Sequence, residues 1–535
     1  MLARKSLLAF GTDILKALFG FAATYFTARY LGAVALGTIG YLLGLIGTLA
    51  FVSDLGIHQA FRKCASERPE QNGGYVGALI LLKAALGVML FGACWLAPWV
   101  DQRLAAALAQ ADLRGAYWSI AVYYLVNSFA AIPTLTFQAR RETAKYTLPG
   151  TIGALISSVA KCVMALARTS LTWLAVAYAL ETIVSLVVSM WILRRYPIRR
   201  PSQDEFAHLL DYAKPMFWVT VLAYILPNVD RILLERTWDA SEVGYYTAVI
   251  GLVALLQRVP LAAMGIFLPQ ASEDVARGEL HEVQRRLFVL ERYLLMITVP
   301  MCVMVALGSS LVTRLYLGEE FGRSGPILAV LAMSPLLTAF FEPYDTIVYA
   351  IEKHRYLVPS GVLSLAALLI ADALLVPPVL WGATMLGLGG LGAALGSLIS
   401  QAVNGSLQVY IARRYAGVRL YVPAIKFLAA GLAMAVANEL LRRMVGSGSW
   451  LVTALALIAG CGVYLLALSL QHEFGRADAR MFLGLLHPGR MAGYVGTELP
   501  LGPLARARPH DNGDPSREDL SQNVAGQRSQ DSAGK

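Results

Sequence analysis

ARYLGAVALGTIGYLLGLIGTL, residues 28–49, can be laid over ERTWDASEVGYYTAVIGLVALL, residues 235–256, at an offset of 207. Arg29 then falls on Arg236, Ala33 on Ala240, Gly37 on Gly244 and Gly44 on Gly251. A second alignment, FQARRETAKYTLPG (137–150) on VYAIEKHRYLVPS (348–360), brings Lys145, Tyr146 and Pro149 onto Arg355, Tyr356 and Pro359 at an offset of 210. Apolar residues match by chance in any greasy chain, but Gly, Pro, Tyr and basic positions are not apolar filler. Two alignments at nearly one offset argue for an internal duplication.

The duplicated material is membrane material. Of 535 residues, 57% are hydrophobic and 15% charged, and the mean hydropathy is +0.57, well beyond the globular average of about 45–50% apolar. Continuously apolar runs near 20 residues recur along the chain, each long enough to cross roughly 30 Å of hydrocarbon as a helix. About fourteen such runs are present, the first near 7–28 and the last near 449–470. An outer-membrane barrel would instead show alternating segments of about 10 residues. The first run follows Arg4 and Lys5 but carries Asp13 and Lys16 and has no clear small-residue cleavage site, so it reads as a spanning helix and not a signal peptide.

Six helices per half make the copies enter the membrane in the same orientation, as parallel repeats about an axis along the membrane normal. The expected fold is therefore all-α and polytopic: two six-helix bundles, 1–200 and 201–415, around a central cavity, with two additional helices at 416–470. A tail, 471–535, follows. Within it 474–491 has the spacing of an amphipathic surface helix, and the polar remainder has the composition of a disordered segment. Loops that would share one side of the membrane hold about twenty Lys and Arg against nine on the other. That bias predicts cytoplasmic termini in a plasma (inner) membrane. The net charge of +10 is accordingly read as topology; the basic residues are dispersed over short loops, which argues against nucleic acid. Five isolated cysteines and seven histidines without metal spacing give no sign of disulfides, a metal or another cofactor.

The segment from Leu209 to Leu287 carries a Pro in its opening helix, then NVDR (228–231), VGYY (243–246) and a Pro closing the next helix before a charged loop. ARYLGAVALGTIGYLLGLIGTLAFVSDLGIHQAFRKCASE (28–67) includes Ser-Asp-Leu-Gly before a basic loop. Together these resemble the O-antigen-type polysaccharide flippases of the multidrug/oligosaccharidyl-lipid/polysaccharide exporter superfamily, over roughly residues 5–470. The resemblance implies transfer of a polyprenyl-diphosphate-linked oligosaccharide from the cytoplasmic to the outer leaflet, in polysaccharide or lipopolysaccharide biosynthesis, alongside polysaccharide assembly proteins. The helix pair beyond twelve fits such flippases better than the twelve-helix drug exporters of the superfamily.

Ionisable groups at membrane depth cost at least about 2.5–3.5 kcal/mol each, so they face protein or water. A diphosphate needs cations. Lys16, Lys83, Lys161 and Arg258 are the expected diphosphate ligands, Arg258 foremost because a guanidinium can grip phosphate bidentately. Asp13, three residues before Lys16, shares its helical face and is placed to pair with it. Asp54, Glu181, Asp230, Arg231, Glu342, Asp345 and Asp372, with Asp13, are the expected gate or ion-coupling groups for H⁺ or Na⁺. Each of these charges also admits a purely structural role as an interhelical ion pair. Asp230 and Arg231 sit just past Pro227 and point about 100° apart, so they cannot serve one partner. A drug exporter would present an apolar or acidic cavity instead. A membrane-embedded glycosyltransferase or ligase would need a sizeable soluble domain or long loop with acidic catalytic residues, and neither is visible, so no enzyme activity is expected.

Overall fold

Backbone donors and acceptors in hydrocarbon must be paired within the chain, and a continuous apolar run can do that alone only as an α-helix. The computed structural model describes residues 2–140, 142–380, 382–445, 450–475 and 478. The amphipathic segment expected at 474–491 lies, but for three residues, outside them, as does 492–535.

The helices are α1 (Leu2–Leu49), α2 (Ile57–Glu67), α3 (Asn72–Val100), α4 (Gln102–Ala107), α5 (Ala111–Ala139), α6 (Thr143–Leu166), α7 (Leu171–Leu193), α8 (Gln203–Ile225) and α9 (Val229–Thr237). There follow α10 (Ala240–Ala276), α11 (Leu280–Leu307), α12 (Ser309–Tyr316), α13 (Ser324–Leu331), α14 (Ser334–Ala350), α15 (Leu357–Leu375), α16 (Gly390–Ala416), α17 (Ala424–Val445) and α18 (Trp450–Leu470). A two-residue hairpin, Val379–Leu380 with Ala383–Thr384, interrupts the link from α15 to α16. Starts are written in the sequence: Ser202 and Glu205 form a reciprocal capping box at α8, and Asp239 accepts from Glu242 N at 2.9 Å to open α10.

Among the described residues eleven stretches are long and apolar enough to cross a membrane, twelve with the pair α8 and α9, which bends by 42° where Pro227 interrupts the ladder. The chain is a multi-pass membrane protein. At 48 residues, α1 would be roughly 70 Å long, twice what one crossing needs. It is broken at Gly32, whose φ of 79° suits glycine. Counting α1 as two crossings and adding the less apolar α16 brings the total to about fourteen, in keeping with the expectation.

Residues paired by the repeat meet in space. A Cβ on Gly37 would lie 1.6 Å from Ala240 O, and one on Gly244 would lie 2.0 Å from Ala33 O. Backbone therefore touches backbone, and each partner contacts the other's equivalent, the reciprocity that a two-fold axis imposes. At the ends of this seam the repeated arginines take different partners. Arg29 Nη2 donates to Leu315 O at 2.5 Å, while its repeat equivalent Arg236 forms an ion pair with Asp101. Glu320 accepts from Ala33 N at 3.0 Å, a carboxylate at the positive start of a helix.

Away from the seam, α5, α6 and α7 pack on one another and on α1, with α3 against α5. In the second half α10, α11, α13, α14 and α16 pack together, with α15 on α16, and α17 and α18 form a pair against α11. The segment expected as a basic loop at 58–68 is in fact mostly helix, α2, with Ile57, Phe61 and Cys64 buried and Arg62 and Lys63 outward. Its amphipathic 3.6-residue period was masked by Arg62, Lys63 and Arg68.

Candidate functional site

A cavity of about 400 Å³ opens between α1, α6 and α7 on one side and α10 and the end of α12 on the other. From α1 it receives Lys16, Gly20, Thr24 and Thr27, spaced to line one face of a helix. From α10 it receives Gly251, Leu255 and Arg258 by the same periodicity, and from α6 and α7 Lys161, Tyr178 and Glu181. Three cations thus face one carboxylate across a partly open space whose wall is otherwise of mixed polar and apolar residues.

Each cation is held differently. Lys161 is only 8% exposed, and its Nζ sits 3.5 Å from the centroid of the Tyr178 ring. A ring face can hold an ammonium by about 0.5–2 kcal/mol while leaving the charge uncancelled. Lys16 reaches toward α6, where a Cβ at Gly150 would stand 3.2 Å from its Nζ. Arg258 Nη1 lies 3.6 Å from Asp13 Oδ2, and both side chains are about half exposed, at 50% and 42%. This corrects the expected pairing of Asp13 with Lys16: Asp13 turns across to the second half, and Lys16 is left to the lumen. Side-chain reach of several Å outweighed the shared helical face.

Residues 26–326 match the family described as polysaccharide biosynthesis protein, more than half of the chain. The chain belongs to that family. A curated relative, the probable low-salt glycan biosynthesis flippase of Haloferax volcanii, is 22% identical over 474 residues, covering 86% of this chain and 94% of its own. The fold is similar to that of the lipid II flippase MurJ in its inward closed conformation, with a TM-score of 0.68 at 14% identity, over 87% of this chain and 99% of that one. It is also similar to an inward-facing multidrug resistance MATE transporter, with a TM-score of 0.62 at 15% identity, over 75% and 94% respectively.

In this polysaccharide biosynthesis protein the remaining charges divide into separate clusters. Lys83 does not line the cavity. It is fully buried, donating to Ser53 O at 2.6 Å, with His58 Nε2 at 2.7 Å. His58 Nδ1 in turn lies 3.1 Å from Asp54 Oδ2, and the His58 backbone N donates to Asp54 Oδ1 at 2.9 Å. Asp54, His58 and Lys83 therefore form a chain where α2 begins. No sequence spacing announced it, because His58 reads alone as a loop histidine.

Asp230 and Arg231 diverge as their 100° separation requires. Asp230 is 3% exposed; its Oδ2 accepts from Ser397 Oγ at 2.5 Å and from Tyr246 Oη. Asp372, fully buried on α15, lies within hydrogen-bonding reach of it, and a Cβ at Gly396 would stand 2.1 Å from Asp372 Oδ1. Asp230 Oδ1 and both Asp372 oxygens have no further partner among the described residues. Arg231 turns the other way, its Cβ packed 3.2 Å from where a side chain on Gly44 would begin. Glu342 and Asp345, on consecutive turns of α14, are half-buried and line neither the cavity nor the Asp230 cluster. The ring of Tyr178 and the hydroxyls of Tyr246 and Ser397 were invisible beforehand, since aromatic and small polar residues are common in spanning helices.

Proposed function

We propose that the protein translocates a polyprenyl-diphosphate-linked oligosaccharide across the plasma (inner) membrane, cytoplasmic to outer leaflet, by alternating access between two parallel six-helix bundles at 1–200 and 201–415. Its termini and basic loops lie on the cytoplasmic side by the positive-inside rule. The observation that carries this reading is the convergence of Lys16, Lys161 and Arg258, drawn from both halves, on one cavity with a single carboxylate in its wall. Diphosphate oxygens are the natural complement of such a cage: two ammonium groups supply point charge, and the guanidinium supplies a planar fork. Lys161 on its ring is poised, because no carboxylate has to be displaced before phosphate is met.

Asp230 and Asp372 serve a different step. Two buried carboxylates in contact cannot both stay ionised without a cation or a proton between them. A site that is satisfied only when H⁺ or Na⁺ is bound supplies the differential interaction by which an ion gradient biases two conformations. The family description and the flippase relative support the lipid-linked glycan class. The basic cavity disfavours a cationic-drug exporter, whose lumen needs the opposite sign. Deleting the protein in its host should leave a lipid-linked oligosaccharide on the cytoplasmic face of the membrane; absence of any such accumulation, together with no transfer by the purified protein in vesicles, would overturn the proposal.

A further inference from the structure

One turn of α7 beyond Glu181, on the side of the basic loops, Ser185 enters the wall of a second hollow of about 330 Å³. The two hollows therefore follow one another along the same helix about 6 Å apart. The second is lined by His58 and Arg62 of α2 and by Asn127, Thr134 and Gln138 of α5. On α5 these three stand at i, i+7 and i+11 in one stripe along a helix that crosses the membrane, with Ala130 and Ala131 lining the hollow between Asn127 and Thr134.

The stripe's hydrogen-bonding capacity is largely unspent. Both ring nitrogens of His58 are taken by Asp54 and Lys83, Thr134 Oγ1 donates to Ala130 O at 2.8 Å, and Arg62 Nη2 donates to Gln59 Oε1 at 2.6 Å. Among the described residues the Asn127 and Gln138 amides and the Ser185 hydroxyl have no protein partner. Asn127 is exposed near the middle of α5. An amide cannot sit open against lipid tails at that depth without a cost of several kcal/mol, so its face belongs to a wet passage.

The two hollows differ in chemistry. The first offers Lys16, Lys161 and Arg258; the second offers the neutral amides of Asn127 and Gln138 and the hydroxyls of Thr134 and Ser185, with His58 and Arg62 on its α2 side. Amides present donors and acceptors side by side, the complement of adjacent sugar hydroxyls, and they offer a diphosphate little. We propose that the pocket of Asn127, Thr134, Gln138 and Ser185 is a saccharide subsite that takes the sugars nearest the diphosphate while the diphosphate occupies the cation cage. This rests on the flippase reading above.

The test uses the full chain in detergent and two probes: undecaprenyl diphosphate, and undecaprenyl diphosphate bearing a short neutral oligosaccharide. Losing two neutral hydrogen bonds, Asn127→Ala with Gln138→Ala should weaken the glycosylated lipid by about 10- to 30-fold and leave the bare lipid within about two-fold, so the bare lipid doubles as the folding control. Ser185→Leu, which fills the hollow instead of emptying it, should show the same selectivity. Equal weakening of both lipids, or no weakening of the glycosylated one, overturns the subsite. A wild-type protein that binds neither lipid overturns the flippase reading itself, a result the variants cannot produce.

Discussion

Arg258→Ala separates a substrate contact from a structural strut. In the structure the guanidinium stands 3.6 Å from Asp13, with both side chains about half exposed. An ion pair that long and that wet contributes about 0–1 kcal/mol to stability, so removing it should shift Tm little. Against a diphosphate the same side chain makes charge-assisted hydrogen bonds, each contributing about 1.5–3 kcal/mol net, so its loss should raise the Kd for undecaprenyl diphosphate roughly 10- to 150-fold. Arg258→Lys keeps the charge but loses the planar fork and should fall between, at about 3- to 10-fold. Asp13→Asn removes the carboxylate that competes for the guanidinium, and should leave affinity equal to or above wild type. The assay is binding by the solubilised full chain over a range of salt, with transfer in vesicles and thermal unfolding measured in parallel. The affinity loss should shrink as salt rises. A marked drop in Tm with unaltered affinity would refute the reasoning, and would make Arg258 a brace for Asp13 between the halves.

Three further outcomes follow from the same geometry. Lys83→Met should leave undecaprenyl diphosphate affinity within about two-fold because Nζ is closed off behind Ser53 and His58, whereas Lys161→Met should weaken it by about ten-fold; equal losses would show that Lys83 reaches the lumen. Gly37→Val would put a Cβ 1.6 Å from Ala240 O and must pry the seam apart, so a cysteine at Thr247, beside Gly40, should react faster with a water-soluble thiol reagent; an unchanged rate would refute the close backbone contact at the seam. Asp230→Asn and Asp372→Asn should each remove the dependence of transfer on an imposed H⁺ or Na⁺ gradient while lipid binding persists, and transfer that still follows the gradient would exclude the pair from coupling.

The all-helical membrane fold and the repeated glycine contacts were legible because both are written in residues with few alternatives. A run of 20 apolar residues in a membrane has one structure, and glycines at fixed spacing mark places where backbones must touch. Gly37 and Gly244 were found as a repeat before being found as a contact. The cavity was legible only in part. Lys16, Lys161 and Arg258 could be picked as charges that had to face something wet, and they line one space. Lys83 carried the same signal and lies elsewhere, because hydropathy reports depth along a helix and says nothing of rotation about its axis. Asp13 was assigned a neighbour on its own helix, yet its side chain reaches the other half. The chain of Asp54, His58 and Lys83 depends on a tertiary meeting of α2 with α3, which no local pattern encodes.

The repeat also accounts for what it could not locate. Applying the offset of 207 to Lys16 lands on Ala223, and to Arg258 and Asp230 in reverse on Phe51 and Ala23; the offset of 210 takes Lys161 to Ala371 and Asp372 back to Cys162. Arg29, Ala33, Gly37 and Gly44 have their copies in Arg236, Ala240, Gly244 and Gly251, and none of these five charges has one. Physically the two sets answer to different constraints. A seam about a two-fold axis is made by one patch meeting its own image, so a change in one copy must be matched in the other. A cage for a single diphosphate gains nothing from a second cage on the opposite wall, where extra buried cations would only add desolvation cost. A lone ion site is likewise needed once. Symmetric backbone contact with asymmetric charge is the pattern expected of a duplicated scaffold whose two halves must still close on each other while acting on one asymmetric molecule. Placing Lys at Ala223 tests this: the added cation should lower stability without raising affinity for undecaprenyl diphosphate, and a gain in affinity would mean that the second half retains a usable copy of the site.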